Sequence, residues 1–242
     1  MRDSSIVLKN QAEAGSRPPA GSRNKATGPK LRPAGARLIL GGSNGAYESL
    51  NRGDTIAQLS TGSVNRNAIL YGGRRLGVDN PDVLYVGSGA QVLVRTVAAG
   101  PLAASAYPGG TVTGLALNPE DWQEAYAIDA SSVFRTTDAG ASWTNVTHNL
   151  QTFAPGLLRS AAFILAGPGA VMVGTDRGVY ALKLDGTVWD VLGTGLPNAP
   201  VFELDYDVAR DKLMAGLLGR GAWVLTPLAP DVPVELQTFD VR

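Results

Sequence analysis

Short apolar runs separated by turns rich in Gly, Pro, Asn and Asp recur along this chain from residue 37 onward. Few stretches keep the i, i+3, i+4, i+7 spacing of an amphipathic helix, so the pattern predicts many short strands. The runs come in pairs. Stretch 38–41 pairs with 45–47, 84–87 with 92–94, 125–128 with 133–135, 171–174 with 178–180, and 213–216 with 221–223. Tyr47, Leu93, Phe134, Tyr180 and Trp223 hold one position of this repeat, with separations of 46, 41, 46 and 43 residues.

The later units each supply an earlier, inner strand, at 68–71, 112–117, 161–165 and 201–206. A period in the forties with four short strands per unit is what a β-propeller blade requires. The fold class expected is therefore all-β, a propeller of four-stranded antiparallel blades with about five units. The first unit has no inner strand just before Arg37. Either residues 4–9 or the C-terminal stretch 234–238 completes it, or the chain is part of a larger ring.

The third unit carries Thr136-Thr137-Asp138-Ala139-Gly140-Ala141-Ser142-Trp143 between β-forming flanks. Asp138 suits backbone N–H bonds inside a turn, Gly140 takes φ > 0 without a Cβ clash, and Thr136 adds a hydroxyl. Trp143 opens the return strand as an apolar anchor. The first unit keeps Ser49, Asn51, Gly53 and Thr55 at the same spacing, with Ile56 as its anchor, and the fourth keeps Asp185, Gly186 and Trp189 in a shortened turn. These residues resemble the Asp box, or BNR repeat, S/T-x-D-x-G-x-T/S-W, of sialidases, xyloglucan-type glycosidases, sortilin-type receptors and photosystem assembly factors. The resemblance spans about residues 37–228 and implies a propeller. It implies no single activity, since those families share little else.

Composition adds a division. Residues 11–36 are Gly, Pro, Ala, Ser and basic residues with almost nothing to bury, so a disordered basic tail over 1–36 is expected before a propeller domain at 37–242. Lys+Arg and Asp+Glu both number 21, and residues 37–242 hold 14 basic against 19 acidic groups, so the body attracts no nucleic acid. There are no cysteines, which excludes disulfides and thiolate metal sites. No membrane span and no signal peptide are legible, and an extracellular or periplasmic place is expected if the native N-terminus lies upstream.

Candidate chemistry is sparse. The stretch 203–207 alternates, placing Glu203, Asp205 and Asp207 on one strand face and Phe202, Leu204 and Tyr206 on the other. Glu203 and Asp205, if turned to the channel, are the candidates for glycosidase acid–base work; Asp207 is expected to cap the following turn. The sialidase arginine-Ile/Leu-Pro signature is absent, so no catalytic residue carries over from the resemblance. His148 is the only histidine and has no cysteine partner, so neither a metal nor a cofactor is expected. Asn145-Val146-Thr147 fits the N-glycosylation pattern. Trp122, in the loop after 112–117, is the candidate for stacking on a sugar or contacting a partner.

The reading is a non-catalytic binding or scaffold module that contacts a protein or carbohydrate through axial loops. The alternatives are the propeller part of a glycoside hydrolase and a fragment without activity of its own.

Overall fold

The computed structural model describes residues 7–9, 37–165, 169–184, 186–193, 195–207, 210–225 and 239–241. Among the described residues twenty strands form five four-stranded sheets. The first holds β1 (Val7–Lys9), β2 (Leu38–Gly42), β3 (Gly45–Ser49) and β4 (Ala57–Thr61). The second holds β5 (Val64–Arg75), β6 (Val78–Ser88), β7 (Gln91–Arg95) and β8 (Ala103–Ala104). β9 (Gly114–Leu117), β10 (Ala125–Ile128), β11 (Val133–Thr136) and β12 (Thr144–Asn145) make the third. The fourth is β13 (Leu158–Ile164), β14 (Ala170–Thr175), β15 (Val179–Lys183) and β16 (Trp189–Val191); the fifth is β17 (Val201–Asp207), β18 (Lys212–Leu217), β19 (Gly221–Leu225) and β20 (Phe239–Val241).

Each sheet is an antiparallel meander, the blade that the repeat predicts. Val7–Lys9 pairs with Ile39–Gly41, so the first unit has four strands. The fourth strand of the last sheet is Phe239–Val241, paired with β19. Val7–Lys9 lies inside the tail over 1–36 for which disorder is expected, and is a strand of the first blade; the rest of that tail, residues 1–6 and 10–36, the stretch 234–238 and Asp185 lie outside the described residues.

The cores lie between blades. Successive residues of a middle strand point to opposite faces, and both faces are covered, so these strands read as unbroken apolar runs. On β6, Leu84 and Val86 pack toward the first blade with Ile39 and Ala46. Their neighbours Val83 and Tyr85 pack toward the third with Leu115 and Phe134. The bulky repeat position faces the preceding blade: Phe134 joins the second-blade core and Tyr180 the third-blade core. The recurring glycine at the end of the middle strands marks where the next inner strand comes close. A Cβ on Gly87 would lie 2.7 Å from a Val112 methyl, and one on Gly174 would lie 2.8 Å from a Val201 methyl.

The inner strands β5, β9, β13 and β17 stand next to one another in chain order and turn their free edges to a common axis.

Candidate functional site: the axial channel

Two cavities lie along this axis. One, of about 380 Å³, sits where the inner strands begin and is lined by residues including Asn65, Thr113, Leu157, Arg159 and Phe202. The other, of about 230 Å³, sits toward their ends and includes Tyr71, Leu117, Phe163, Asp205 and Tyr206. Asn67 and Glu203 line both. Asn67 Nδ2 donates to the carbonyls of Phe202 at 2.7 Å and Arg159 at 3.2 Å, tying the second blade to the fourth and fifth at the level where the cavities meet.

The structure brings both predicted acids, Glu203 and Asp205, to the channel. They stand two residues apart on β17 and so share one wall. Among the described residues lining the two cavities they are the only carboxylates. Tyr71 and Tyr206 supply the phenols. Burial raises the pKa of Tyr71, while Arg37 partly opposes it; burial, with a hydrogen bond to Asp211 at 2.8 Å, raises that of Tyr206. Both remain protonated at neutral pH. Asp207 accepts bonds from the Arg210 backbone and guanidinium, which caps the turn after β17.

The alternation expected over 202–206 is broken at one residue. The ladder between β17 and β18 shifts between Val201 and Glu203, so Val201 is buried, Phe202 is 43% exposed, and the buried face resumes at Leu204. A bulge inserts one residue and reverses the facing of what precedes it. Phe202 therefore lines the wide cavity, beneath the Arg159 guanidinium at 4.7 Å.

Trp122 lies away from both cavities. Its N–H donates to the Arg74 carbonyl at 2.9 Å, its carbonyl accepts the Tyr85 hydroxyl at 2.8 Å, and its ring is half-buried in the core between second and third blades. The loop holding it braces the long β5–β6 hairpin, helped by Arg75 and Asp121 at 3.2 Å. At the hairpin tip, Leu76 and Gly77 both have positive φ, and Leu76 is 88% exposed.

The turn residues occupy the outer side, on the β11–β12 hairpin. Thr136 Oγ1 donates to Asp138 Oδ1 at 2.8 Å and accepts the Gly140 N–H at 2.9 Å, while Asp138 accepts the Ser142 N–H at 2.8 Å and hydroxyl at 2.5 Å. The first unit repeats this set: Ser49 to Asn51 at 3.0 Å, Gly53 N–H to Ser49 at 2.8 Å, and Thr55 N–H to Asn51 at 2.9 Å. Ala139 and Gly140 have φ of 58° and 86°, Arg52 and Gly53 of 64° and 100°. The Ile56 anchor fails, however, being 54% exposed. In the fourth unit the Gly186 N–H closes a turn onto the Lys183 carbonyl at 2.9 Å.

The two tryptophans of these turns face the preceding blade. Trp189 is fully buried and its Nε1 donates to the Val146 carbonyl at 2.9 Å. Trp143 is only half-buried, edge-on to Tyr107, and donates to Ser105 at 3.2 Å. The second blade has Arg95 where the third has Thr136. Arg95 instead reaches back in a bidentate pair with Glu48 of the first blade, at 2.7 and 3.0 Å, both side chains at most 10% exposed. Arg37 joins Glu48 at 3.1 Å and Asp82 at 2.6 Å. This network had no sequence signal, because its members lie far apart in the chain.

Solved structures resemble the whole arrangement. An ancestral GH74 enzyme aligns over 89% of this chain and 32% of its own, at 12% identity and a TM-score of 0.65. The GH74 xyloglucanase of Xanthomonas campestris aligns over 85% and 37%, at 16% identity and 0.58. The Swd1 β-propeller domain of Myceliophteria thermophila aligns over 84% and 67%, at 12% identity and 0.60. The chain is a β-propeller.

The propeller spans about a third of the length of the two GH74 structures. No protein-family model and no curated protein matches the sequence. Among the described residues no helix is long and apolar enough to cross a membrane, and no three metal-binding side chains cluster.

Proposed function

We propose that this propeller is a non-catalytic binding module, of the Asp-box type, that contacts a protein or carbohydrate at its axial faces. The observation that carries this reading is the placement of the channel acids. Glycoside hydrolysis uses two carboxylates flanking the scissile bond, about 5 to 9.5 Å apart. Two residues along a strand span about 6.6 Å, within that range, but Glu203 and Asp205 extend from one wall and so do not flank a bound sugar, and no described carboxylate lines the channel from another blade. The raised phenol pKa values of Tyr71 and Tyr206 leave no ready tyrosinate nucleophile at neutral pH.

The glycoside hydrolase reading draws its support from the GH74 likeness, which at this identity is a likeness of fold. The two readings separate in one assay. Xyloglucan, aryl glucosides and a sialyl substrate are incubated with the full chain, and reducing ends or free sialic acid are measured. No release above buffer is expected. Release that disappears in Glu203→Gln or Asp205→Asn would overturn the proposal.

A further inference from the structure

We infer that the narrower cavity of the axial channel, toward the ends of the inner strands, binds a primary alkylammonium group. This rests on the binding-module reading and names the chemistry of its ligand. Asp205 carries the argument. It lines this cavity of about 230 Å³, is exposed, and has no hydrogen-bonding or ionic partner among the described residues. A free carboxylate on a convex surface is simply hydrated, whereas in a concavity with low-dielectric walls it draws a cation.

No cation nearby balances it. Among the described residues lining the cavity there is no Lys, Arg or His. Arg37, which acts electrostatically on Tyr71, is held by Glu48 at 3.1 Å and Asp82 at 2.6 Å. Arg210 pairs with Asp207 at 2.6 Å, and Lys212 stands opposite Asp207 in the β17–β18 ladder, where Asp205 stands opposite Met214. Asp211, bonded to the Tyr206 hydroxyl, adds a further negative charge. Glu203 also lines the cavity, but it already has a partner and is left out of this balance.

The hydrogen-bonding groups favour a donor. Asn67 Nδ2 is fixed by the Arg159 and Phe202 carbonyls, which leaves Asn67 Oδ1 as an unengaged acceptor. The Ser160 hydroxyl is committed to the Val201 carbonyl at 3.1 Å and the Tyr206 hydroxyl to Asp211 at 2.8 Å. Of the described side-chain donors on the wall, only the Tyr71 hydroxyl is uncommitted, against the acceptors Asp205 and Asn67 Oδ1. A primary ammonium brings N–H donors and no acceptor, as this set requires, while a quaternary one brings no donor.

The remaining wall suits a hydrocarbon stem. Leu115, Leu117 and Leu204 line it together with the rings of Tyr71, Phe163 and Tyr206. Aromatic rings attract a cation and pack against its methylenes. A bare divalent ion would call for several oxygen ligands, and no three metal-binding side chains cluster among the described residues.

The test is NMR of the full chain, read at the Tyr71 and Phe163 ring signals and titrated with n-butylammonium, acetyl-lysine methylamide, tetramethylammonium and butyrate. The two primary ammonium probes are expected to shift those signals with millimolar Kd, tetramethylammonium to bind several-fold more weakly and butyrate not to bind. Asp205→Asn, checked for an unchanged melting profile, is expected to weaken butylammonium about tenfold or more, and Asp205→Glu to weaken it less. The tighter of the two primary probes tells a free amine from a lysine side chain of a protein. Absence of the ring shifts, equal affinity in Asp205→Asn, or tetramethylammonium or butyrate binding as tightly as butylammonium would overturn the inference. Failure here without hydrolysis leaves the binding-module reading intact, whereas hydrolysis lost in Glu203→Gln overturns that reading itself.

Discussion

Asn67 and Phe202 lie 135 residues apart, and the amide of the first donates to the carbonyl of the second at 2.7 Å across the propeller axis. The same amide nitrogen reaches Arg159, so one side chain bonds two inner strands from a third. Asn67→Ala removes one partly buried and one exposed hydrogen bond and is expected to destabilise by about 1–2 kcal/mol. Urea unfolding at neutral pH checks this. Unchanged stability would mean that the blades meet at the axis without this clasp.

Arg95 and Glu48 connect the first two blades with both side chains withdrawn from water. Glu48→Gln leaves Arg95 buried without its carboxylate, which typically costs about 3–5 kcal/mol, whereas Arg95→Met leaves Glu48 paired with Arg37 and should cost less. Chemical denaturation should show that order, and combining Arg95→Met with Glu48→Leu should lose less than the two single variants summed. A fully additive double variant would show that the pair is not coupled.

Asp138 is expected to make stability acid-sensitive. Hydrogen bonds from the Ser142 hydroxyl and backbone, then from Thr136, hold its pKa below the ordinary 3.8. The folded form therefore binds a proton less readily than the unfolded one. This contribution is complete above the unfolded value and fades as pH falls through the lower folded value, in a window below about pH 4. Melting temperatures followed from pH 6 to pH 2 should converge for the parent and Asp138→Asn at the acid end and diverge at the neutral end.

Trp189 and Trp143 should differ. The first is fully buried between third and fourth blades, and Trp189→Ala is expected to lose about 3–5 kcal/mol through the cavity left behind. Trp143 packs at the rim, so its alanine variant should lose clearly less. Equal losses in calorimetry would show that burial does not set the difference.

Leu76 should respond in the opposite direction. It occupies the first central position of a two-residue hairpin turn with φ of 50°, where Asn followed by Gly is the favoured pair. Leu76→Asn relieves a left-handed conformation costing about 1–2 kcal/mol for a branched side chain. A raised melting temperature is expected, and a lowered one would mean that the leucine makes contacts the fold depends on.

The blades were legible in the sequence because their determinants are local. A run such as 171–174, buried on both faces, shows as unbroken apolar residues, and the turn at Thr136–Ser142 closes on hydrogen bonds within five residues. Periodicity likewise put Glu203 and Asp205 on one face of one strand. It misplaced Phe202, because a bulge depends on the partner strand, and it left Trp122 in a loop because burial there comes from Gly73 and Tyr85 of another blade.

By itself, then, the sequence determined the unit: strand, turn, anchor and spacing, each set by neighbours a few residues away. Only the tertiary structure decided what faces the axis. Asn67 with Arg159 and Phe202, Asp176 with Leu157, and Arg95 with Glu48 are brought together by the packing of whole blades. Their separations in the chain leave no periodic trace, since the contacts follow from how successive sheets turn about a common axis.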